Sequence, residues 1–389
     1  MCVAVRRPQL DVICSGPARE MGFTQGAALR EQIAGARRVL AKLEAFRLRR
    51  PRWLPYPAFL RLAERKAKRF LAGALAEHAP EMAHRLEGIA RGAGIGLPAA
   101  CLLNALEVFM SSVGNGGVPT GSGACSAVAV RGRRSATGEP ILAHNFDYLA
   151  LVQPFYVLRE SRPEGRWRSL DFTAAPLCGS VDALNERGLA ITNNYAYPVD
   201  AGPPATPISM LAAGALARCA TVAEAAEWIT SQPRSGGGIL MLADAAGDVA
   251  SLELSNTRSR LRRPEDGHDL LFHTNAFFCE SMREVEVGEQ AVYGPDAPRA
   301  LRGVRILESP RCRDQRIAEL ASRAGAFGPE ELAALMADHG PQGRPDANTL
   351  CMHSDYWHTT ACLQLFPRSR RMRVAYAPAC RARYEEFGL

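Results

Sequence analysis

Apolar residues in the first third of the chain recur at spacings of three and four, the period of a helix with one buried face. "TQGAALREQIAGARRVLAKLEAF" carries this pattern, with Thr24 placed to cap it. A second helical region runs from about Ala58 through "EHAPEMAHRLEGIARGAGI", broken at Pro80 and closed near Gly92 and Gly94. A third, "PAACLLNALEVFMSS", places Pro98 in its first turn. The stretch "VGNGGVPTGSGA" then reads as a linker, because small residues, Gly and Pro support neither period. It divides a helical segment over 1–124 from a second unit over 125–389.

Past the linker the period changes to two. "CSAVAVRG" alternates, "RRSATGEP" turns, and "ILAHNFDY" returns. "RSLDFTAAP" predicts a strand, and "VDALNERGLAITNNYAY" a hairpin turning at residues 185–188. "ISMLAAGALARCA" and "VAEAAEWITSQ" read as helices, "GILMLADAAGDVASLELS" as a hairpin, and "DLLFHTNAF" as a strand. "CRDQRIAELASRA" and "PEELAALMADH" are helical, and the end of the chain is strand-rich. Such an order predicts an α+β fold of antiparallel sheets between helical layers.

Composition refines this picture little. The 389 residues, 47% hydrophobic and 22% charged, describe a folded globular chain. Arg6, Arg7, Pro8 and Asp11 interrupt the start before an apolar region long enough for a signal peptide forms, and no stretch is long enough for a spanning helix. Eleven cysteines without a disulfide-like spacing fit a reducing compartment, so the expected location is cytoplasmic. The net charge of +7 gathers over residues 37–53 and 61–70. No regular aromatic interleaving accompanies it, which argues against nucleic acid and for a solvated basic face.

The chemistry centres on Cys125, where a loop of tiny residues meets the first strand after the linker. A hairpin turning near Ala136 would set Cys125 opposite Asp147, with roughly 4.5–5.5 Å between their Cα atoms. A thiol with an ordinary pKa of about 8.5 needs a base. His144 offers one. The alternative is the thiol's own α-amino group, with a pKa of about 7.7–8.0, which requires cutting the peptide between Ala124 and Cys125. Attack of Cys125 on the preceding carbonyl would open that bond, and the strand begins at a thiol because a chain begins there.

These residues resemble the isopenicillin-N acyltransferase-like family of N-terminal-nucleophile (Ntn) hydrolases, relatives of the choloylglycine hydrolases. "GFTQGAALREQI", "EMAHRLEGIARGAGI", "ACSAVAV", "GEPILAHNFDY", "ALNERGLAITNNYAY", "LLFHTNAF" and "SPRCRDQRIAELA" carry the resemblance in order over nearly the whole chain. It implies a four-layer αββα sandwich preceded by a helical segment, self-cleavage before Cys125, and acyl transfer through a thioester on Cys125. It also implies that Asp147 holds the new amine, and that Asn194 and Asn275 stabilise the oxyanion. Arg313 would be the active-site arginine, with Arg311 and Arg316 as alternatives. His144, Tyr148 and Tyr195 would contact substrate. His144 stands where bile-salt hydrolases carry arginine and the penicillin acyltransferase glutamine. Ala124 and Ser126 replace the fungal enzyme's glycine and threonine.

The donor implied is a small amide or an acyl thioester; an acyl-coenzyme A is one such donor, with the basic helices as a site for its phosphates. Water or an amine accepts the acyl group, the two fragments stay associated, and neither nucleic acid nor membrane is an expected partner. No cofactor is expected. Cys351, His353, His358 and Cys362 in "CMHSDYWHTTAC" have ligand chemistry, but strand alternation would scatter them, so packing is the expected role and no metal is implied. Two other readings stand beside this one: an unprocessed cysteine hydrolase with His144 as base, and a catalytically silent binding protein on the same scaffold.

Overall fold

The computed structural model describes residues 3–106, 108, 123–265, 267–323 and 325–389. Most of the linker ahead of Gly123 and the end of the third predicted helix lie outside the described residues.

Two sheets face each other. The larger runs β1 (Leu10–Gly16), β4 (Tyr156–Pro163), β5 (Ser169–Ala174), β6 (Asp182–Asn185), β7 (Ala190–Tyr195), β10 (Gly238–Ala243), β11 (Val249–Leu254), β12 (Ser259–Arg262). The smaller runs β13 (Leu270–His273), β2 (Ser126–Val130), β3 (Ile141–Tyr148), β14 (His358–Phe366), β15 (Arg371–Ala375), β16 (Glu385–Gly388). The short strands β8 (Thr206–Pro207) and β9 (Arg234–Ser235) pair with each other.

Alternation along these strands builds the layers. In "SAVAV", Ala127 and Ala129 point to the inter-sheet core with Leu142, Phe172 and Met241, while Val128 and Val130 point outward. The outward face packs on α10 (Glu308–Arg323) and α11 (Pro329–Met336), which follow the short α9 (Glu280–Arg283), through Ile317, Leu332 and Leu335. On the far side, Ile191, Leu240 and Leu252 pack against α7 (Ile208–Leu216) and α8 (Val222–Ser231). The result is the αββα order the sequence predicts. A capping box, Thr221 with Glu224, starts α8.

The first 106 residues are mainly helical: α1 (Ala18–Ala28), α2 (Arg30–Val39), α3 (Glu44–Leu48), α4 (Tyr56–His78), α5 (Pro80–Ala93) and α6 (Leu97–Asn104). Several strands were not read from sequence, among them β12, the short β8 and β9, β4 and β1: "LDVICSG" is a strand that joins the large sheet parallel to β4. The segment before Cys125 is thus part of the sandwich rather than an all-helical extension. α1 and α5 cross at Gly22, Gly26, Gly88 and Gly92, so close that a Cβ at Gly92 would overlap Phe23 O. Among the described residues no single helix is long and apolar enough to cross a membrane.

Candidate active site

Cys125 sits just ahead of β2, and 2% of it is exposed. The β2–β3 register pairs Ser126 with Asn145 and Val130 with Ile141. Continued by one rung, it sets Cys125 against Phe146, not against Asp147 as the sequence spacing predicted. The connection causes the slip. Residues 132–134 form a 3-10 turn with Gly132 at φ 46°, and Ser135 bridges to Phe327, so the link is not a symmetric turn about Ala136.

A one-residue slip moves a side chain to the other face of a sheet. Cys125 lines an apolar cleft with Phe146, Tyr148 and Tyr195. Asp147 turns instead toward β14, where Thr359 Oγ1 donates to its Oδ1 at 2.5 Å. Backbone joins the two groups: Ala124 N–H donates to Asp147 O at 3.1 Å, and the Cys125 thiol lies 3.9 Å from the same oxygen.

The peptides on either side of the Ala124–Cys125 bond are both held. Arg313, fully buried on α10, donates to Cys125 O at 2.7 Å and to Ser126 Oγ at 2.9 Å. Tyr197 OH donates to Gly123 O at 3.1 Å. Gly123 itself sits at φ 60°, a left-handed conformation that glycine adopts without strain. Of the three candidate arginines, Arg313 reaches Cys125; Arg311 pairs with Glu286 and Glu289, and Arg316 with Asp338.

The second terminal nitrogen of Arg313, Nη2, donates to Asn275 Oδ1 at 2.9 Å. Arginine only donates, so this contact fixes the amide's orientation and turns Asn275 Nδ2 the other way, where it donates to Tyr195 O at 2.8 Å. Asn194 Nδ2 donates to Thr274 O at 3.0 Å, and its Oδ1 is buried without a partner among the described residues. Asn194 does not line the cleft, whereas Asn193 does.

Burial sets the electrostatics. It raises the Asp147 carboxyl to about 8, against the opposing effects of Arg313 and the Thr359 hydrogen bond. Asp147 Oδ2 is buried with no partner among the described residues. Burial, then the Asp147 carboxylate, push the Cys125 thiol well above its usual range. In the uninterrupted chain the thiol therefore stays protonated at neutral pH.

His144, expected to face the nucleophile and substrate, is fully buried and absent from the cleft wall. Its Nδ1 hydrogen-bonds Asp182 Oδ2 at 2.7 Å. Its Nε2 is buried without a partner among the described residues, so it makes no hydrogen bond to the thiol there. Thr359, Tyr197 and Asp182 were not singled out from sequence. Only Tyr197 carried a signal, two residues after Tyr195 in "NNYAYP", just past the end of the strand bearing Asn194 and Tyr195. Of the four residues in "CMHSDYWHTTAC", Cys362 donates to Ala377 O and His358 lies on β14 opposite Tyr148, while Cys351 and His353 come together.

A model of the family described as acyl-coenzyme A:6-aminopenicillanic acid acyl-transferase matches residues 134–375. The match begins after Cys125. A search of curated proteins finds no match. Among solved structures, the Caenorhabditis elegans ortholog of N-acylethanolamine-hydrolyzing acid amidase is 12% identical, covering 68% of this chain and all of its own, at a TM-score of 0.44. Penicillin V acylase from Agrobacterium tumefaciens is 15% identical over 68% of this chain and 86% of its own, at 0.41. A mutant conjugated bile acid hydrolase from Clostridium perfringens is 11% identical over 68% and 92%, at 0.42. These likenesses are remote, and it is the family match, spanning more than half the sequence, that places this chain in the acyl-coenzyme A:6-aminopenicillanic acid acyl-transferase family of acyl-transfer enzymes.

Proposed function

We propose that the chain cuts itself between Ala124 and Cys125 and then works as an N-terminal-cysteine acyltransferase or amide hydrolase. The observation that carries this reading is the pair of holds on the two peptides flanking the scissile bond, from Arg313 on Cys125 O and from Asp147 O on Ala124 N–H, beside a buried Asp147 carboxyl oxygen with no partner among the described residues.

In the first step Cys125 Sγ attacks the Ala124 carbonyl carbon. The C–N bond breaks, the Cys125 nitrogen takes the thiol proton, and a thioester forms. Water hydrolyses the thioester, leaving Ala124 with a carboxylate and Cys125 with an α-amino group. Asp147 Oδ2 is the acceptor for that amine, which as an ammonium would pull the carboxyl back toward the charged form. The amine then acts as base for the thiol.

In turnover, Cys125 Sγ attacks the acyl carbon of an amide or thioester, and the amino group passes its proton to the departing amine or thiol. An acyl thioester on Cys125 results, and water or an amine takes the acyl group. Asn275 Nδ2 stabilises the oxyanion by exchanging Tyr195 O for it. Asn194, its donor engaged by Thr274 O, acts in this scheme through the position of the neighbouring backbone.

The acyl group is apolar: Leu40, Leu43, Leu103, Phe146 and Phe172 line the cleft around the thiol. Tyr148 and Tyr195 line it as well, at the substrate side. A coenzyme A thioester fits as donor because α2, which contributes Ala36 and Val39 to the wall, also carries Arg37 and Arg38. Charge reversal at Arg38 that leaves the donor KM unchanged would end that part of the proposal. The fragments 1–124 and 125–389 stay together, supported by a core in which Leu29, Ile33 and Leu71 pack with Val157, Ala175 and Met210. The eleven cysteines have no disulfide-like spacing, and the setting we propose on that pattern is a reducing, cytoplasmic one.

Denaturing electrophoresis with N-terminal sequencing tests the proposal. Wild type should give two pieces, the larger starting at Cys125, and Cys125→Ala one. A wild type that stays whole and transfers acyl groups overturns self-cleavage.

A further inference from the structure

Behind Asp147, on the side away from the cleft, four side chains from three separate segments converge. His339 follows α11, Cys351 and His353 lie on the approach to β14, and Cys380 lies in the 3-10 turn after β15. One ligand atom from each lies within 4.8 Å of all the others.

We propose that His339, Cys351, His353 and Cys380 bind one Zn²⁺ in a tetrahedral site of two thiolates and two imidazoles. The distances favour coordination over hydrogen bonding. His353 Nε2 stands 3.3 Å from Cys351 Sγ and 3.5 Å from Cys380 Sγ. One ring nitrogen has a single proton or a single lone pair and cannot serve two sulfurs on different bearings. A tetrahedron with Zn–S of about 2.3 Å and Zn–N of about 2.0–2.1 Å has S···N edges of about 3.5 Å, so both separations fit two edges sharing an imidazole corner.

The surroundings suit a metal as well. The backbone N–H of Cys380 points at Cys351 Sγ over 3.4 Å, a donor that stabilises a thiolate. His339 Nε2 is buried with no hydrogen-bond partner among the described residues. The His339 and His353 rings meet edge to face at 5.4 Å between centroids, as two imidazoles on neighbouring corners would. Two sulfur and two nitrogen donors select Zn²⁺ over Mg²⁺ or Ca²⁺, and four protein ligands close the coordination sphere, which makes the site structural. It would clip α11, the loop before β14 and the turn after β15 to one another. The spacing, His-x11-Cys-x-His-x26-Cys, has no paired short motif, and half of it lies outside "CMHSDYWHTTAC".

The test uses the full-length protein with Cys125→Ala, so that neither self-cleavage nor acyl transfer affects the result. Purified without chelators or metal resins, it should hold about one zinc per chain, and exchange with Co²⁺ should give the strong visible bands of a tetrahedral cobalt thiolate. Cys351→Ser, His353→Ala and Cys380→Ser should each fall to below about a tenth of a zinc per chain, while Cys312→Ser, at an exposed thiol on α10, keeps it. The cobalt spectrum needs no ligand variant and so decides even if those variants fail to fold. A metal-free protein with no cobalt spectrum overturns the proposal, as does a Cys351–Cys380 disulfide in the unreduced peptide map.

Discussion

Thr359 Oγ1 donates to Asp147 Oδ1 at 2.5 Å and accepts from Met352 N–H at 2.8 Å. The backbone N–H occupies one lone pair of the hydroxyl, and its proton is given to the carboxyl. A hydrogen bond to the carboxylate, charged once the new ammonium faces it, contributes about 1.5–3 kcal/mol, and one to the neutral carboxyl of the unprocessed chain about 0.5–1.5 kcal/mol. Thr359→Val should therefore slow self-cleavage by up to about 10-fold and lower kcat/KM by roughly 10- to 100-fold, and Thr359→Ser should recover most of both. Timed electrophoresis and steady-state rates on a chromogenic acyl amide check this; equal losses in the two variants would assign Thr359 to packing alone.

In the proposed scheme Asn275 supplies the oxyanion donor, and Arg313 fixes the orientation of its amide. Removing one such donor costs about 10²–10³ in kcat. Asn275→Ala should show that loss with KM little changed, measured on processed enzyme. A rise in KM with kcat intact would make Asn275 a ground-state contact instead.

Asp147 gives a pH dependence with a definite sign in the unprocessed chain. Its carboxyl titrates near 8 in the folded state against 3.8 as reference. Between those values the unfolded chain has released the proton and the folded chain still holds it, so rising pH favours unfolding. The contribution is complete below the reference value and gone above the folded one. Urea unfolding of Cys125→Ala from pH 5 to 8 should lose stability with a slope of up to about 1.4 kcal/mol per pH unit beyond that of Cys125→Ala with Asp147→Asn. Parallel slopes for the two proteins would remove Asp147 as the source.

Two glycines make opposite predictions. A Cβ on Gly92 meets Phe23 O and Ala27 N, backbone atoms that cannot step aside, whereas one on Gly73 in α4 meets nothing within 4 Å. Gly92→Ala should destabilise by about 1–3 kcal/mol. Gly73→Ala should stabilise by about 0.5–1 kcal/mol. Thermal melts of the pair decide it.

The layers of the sandwich were legible because "CSAVAVRG" alternates, "ILAHNFDY" returns from it, "GILMLA" is a short apolar run, and their turns carry glycine. β1 was not, since "LDVICSG" is a short run whose partner, β4, lies 146 positions downstream in a parallel pairing that local pattern cannot reveal. Cys125 and Asp147 were rightly brought to one end of the hairpin, but their facing depends on a loop that spacing treats as symmetric and Gly132 makes otherwise. His144 looked like a partner for the thiol because it is near in sequence; Asp182, on the opposite sheet, takes its Nδ1 first. Convergences such as Thr359 with Asp147, or His339 with Cys380, are products of tertiary folding alone.

One outer boundary of the large sheet is supplied by β1, which covers the row of amides and carbonyls along β4. A gene trimmed to begin at Cys125 would translate into a polypeptide with that row bare, and bare strand margins capture neighbouring molecules into aggregates. Anyone wishing to manufacture the shortened form in quantity should translate the whole open reading frame, or co-express the missing piece, rather than clone the downstream part by itself.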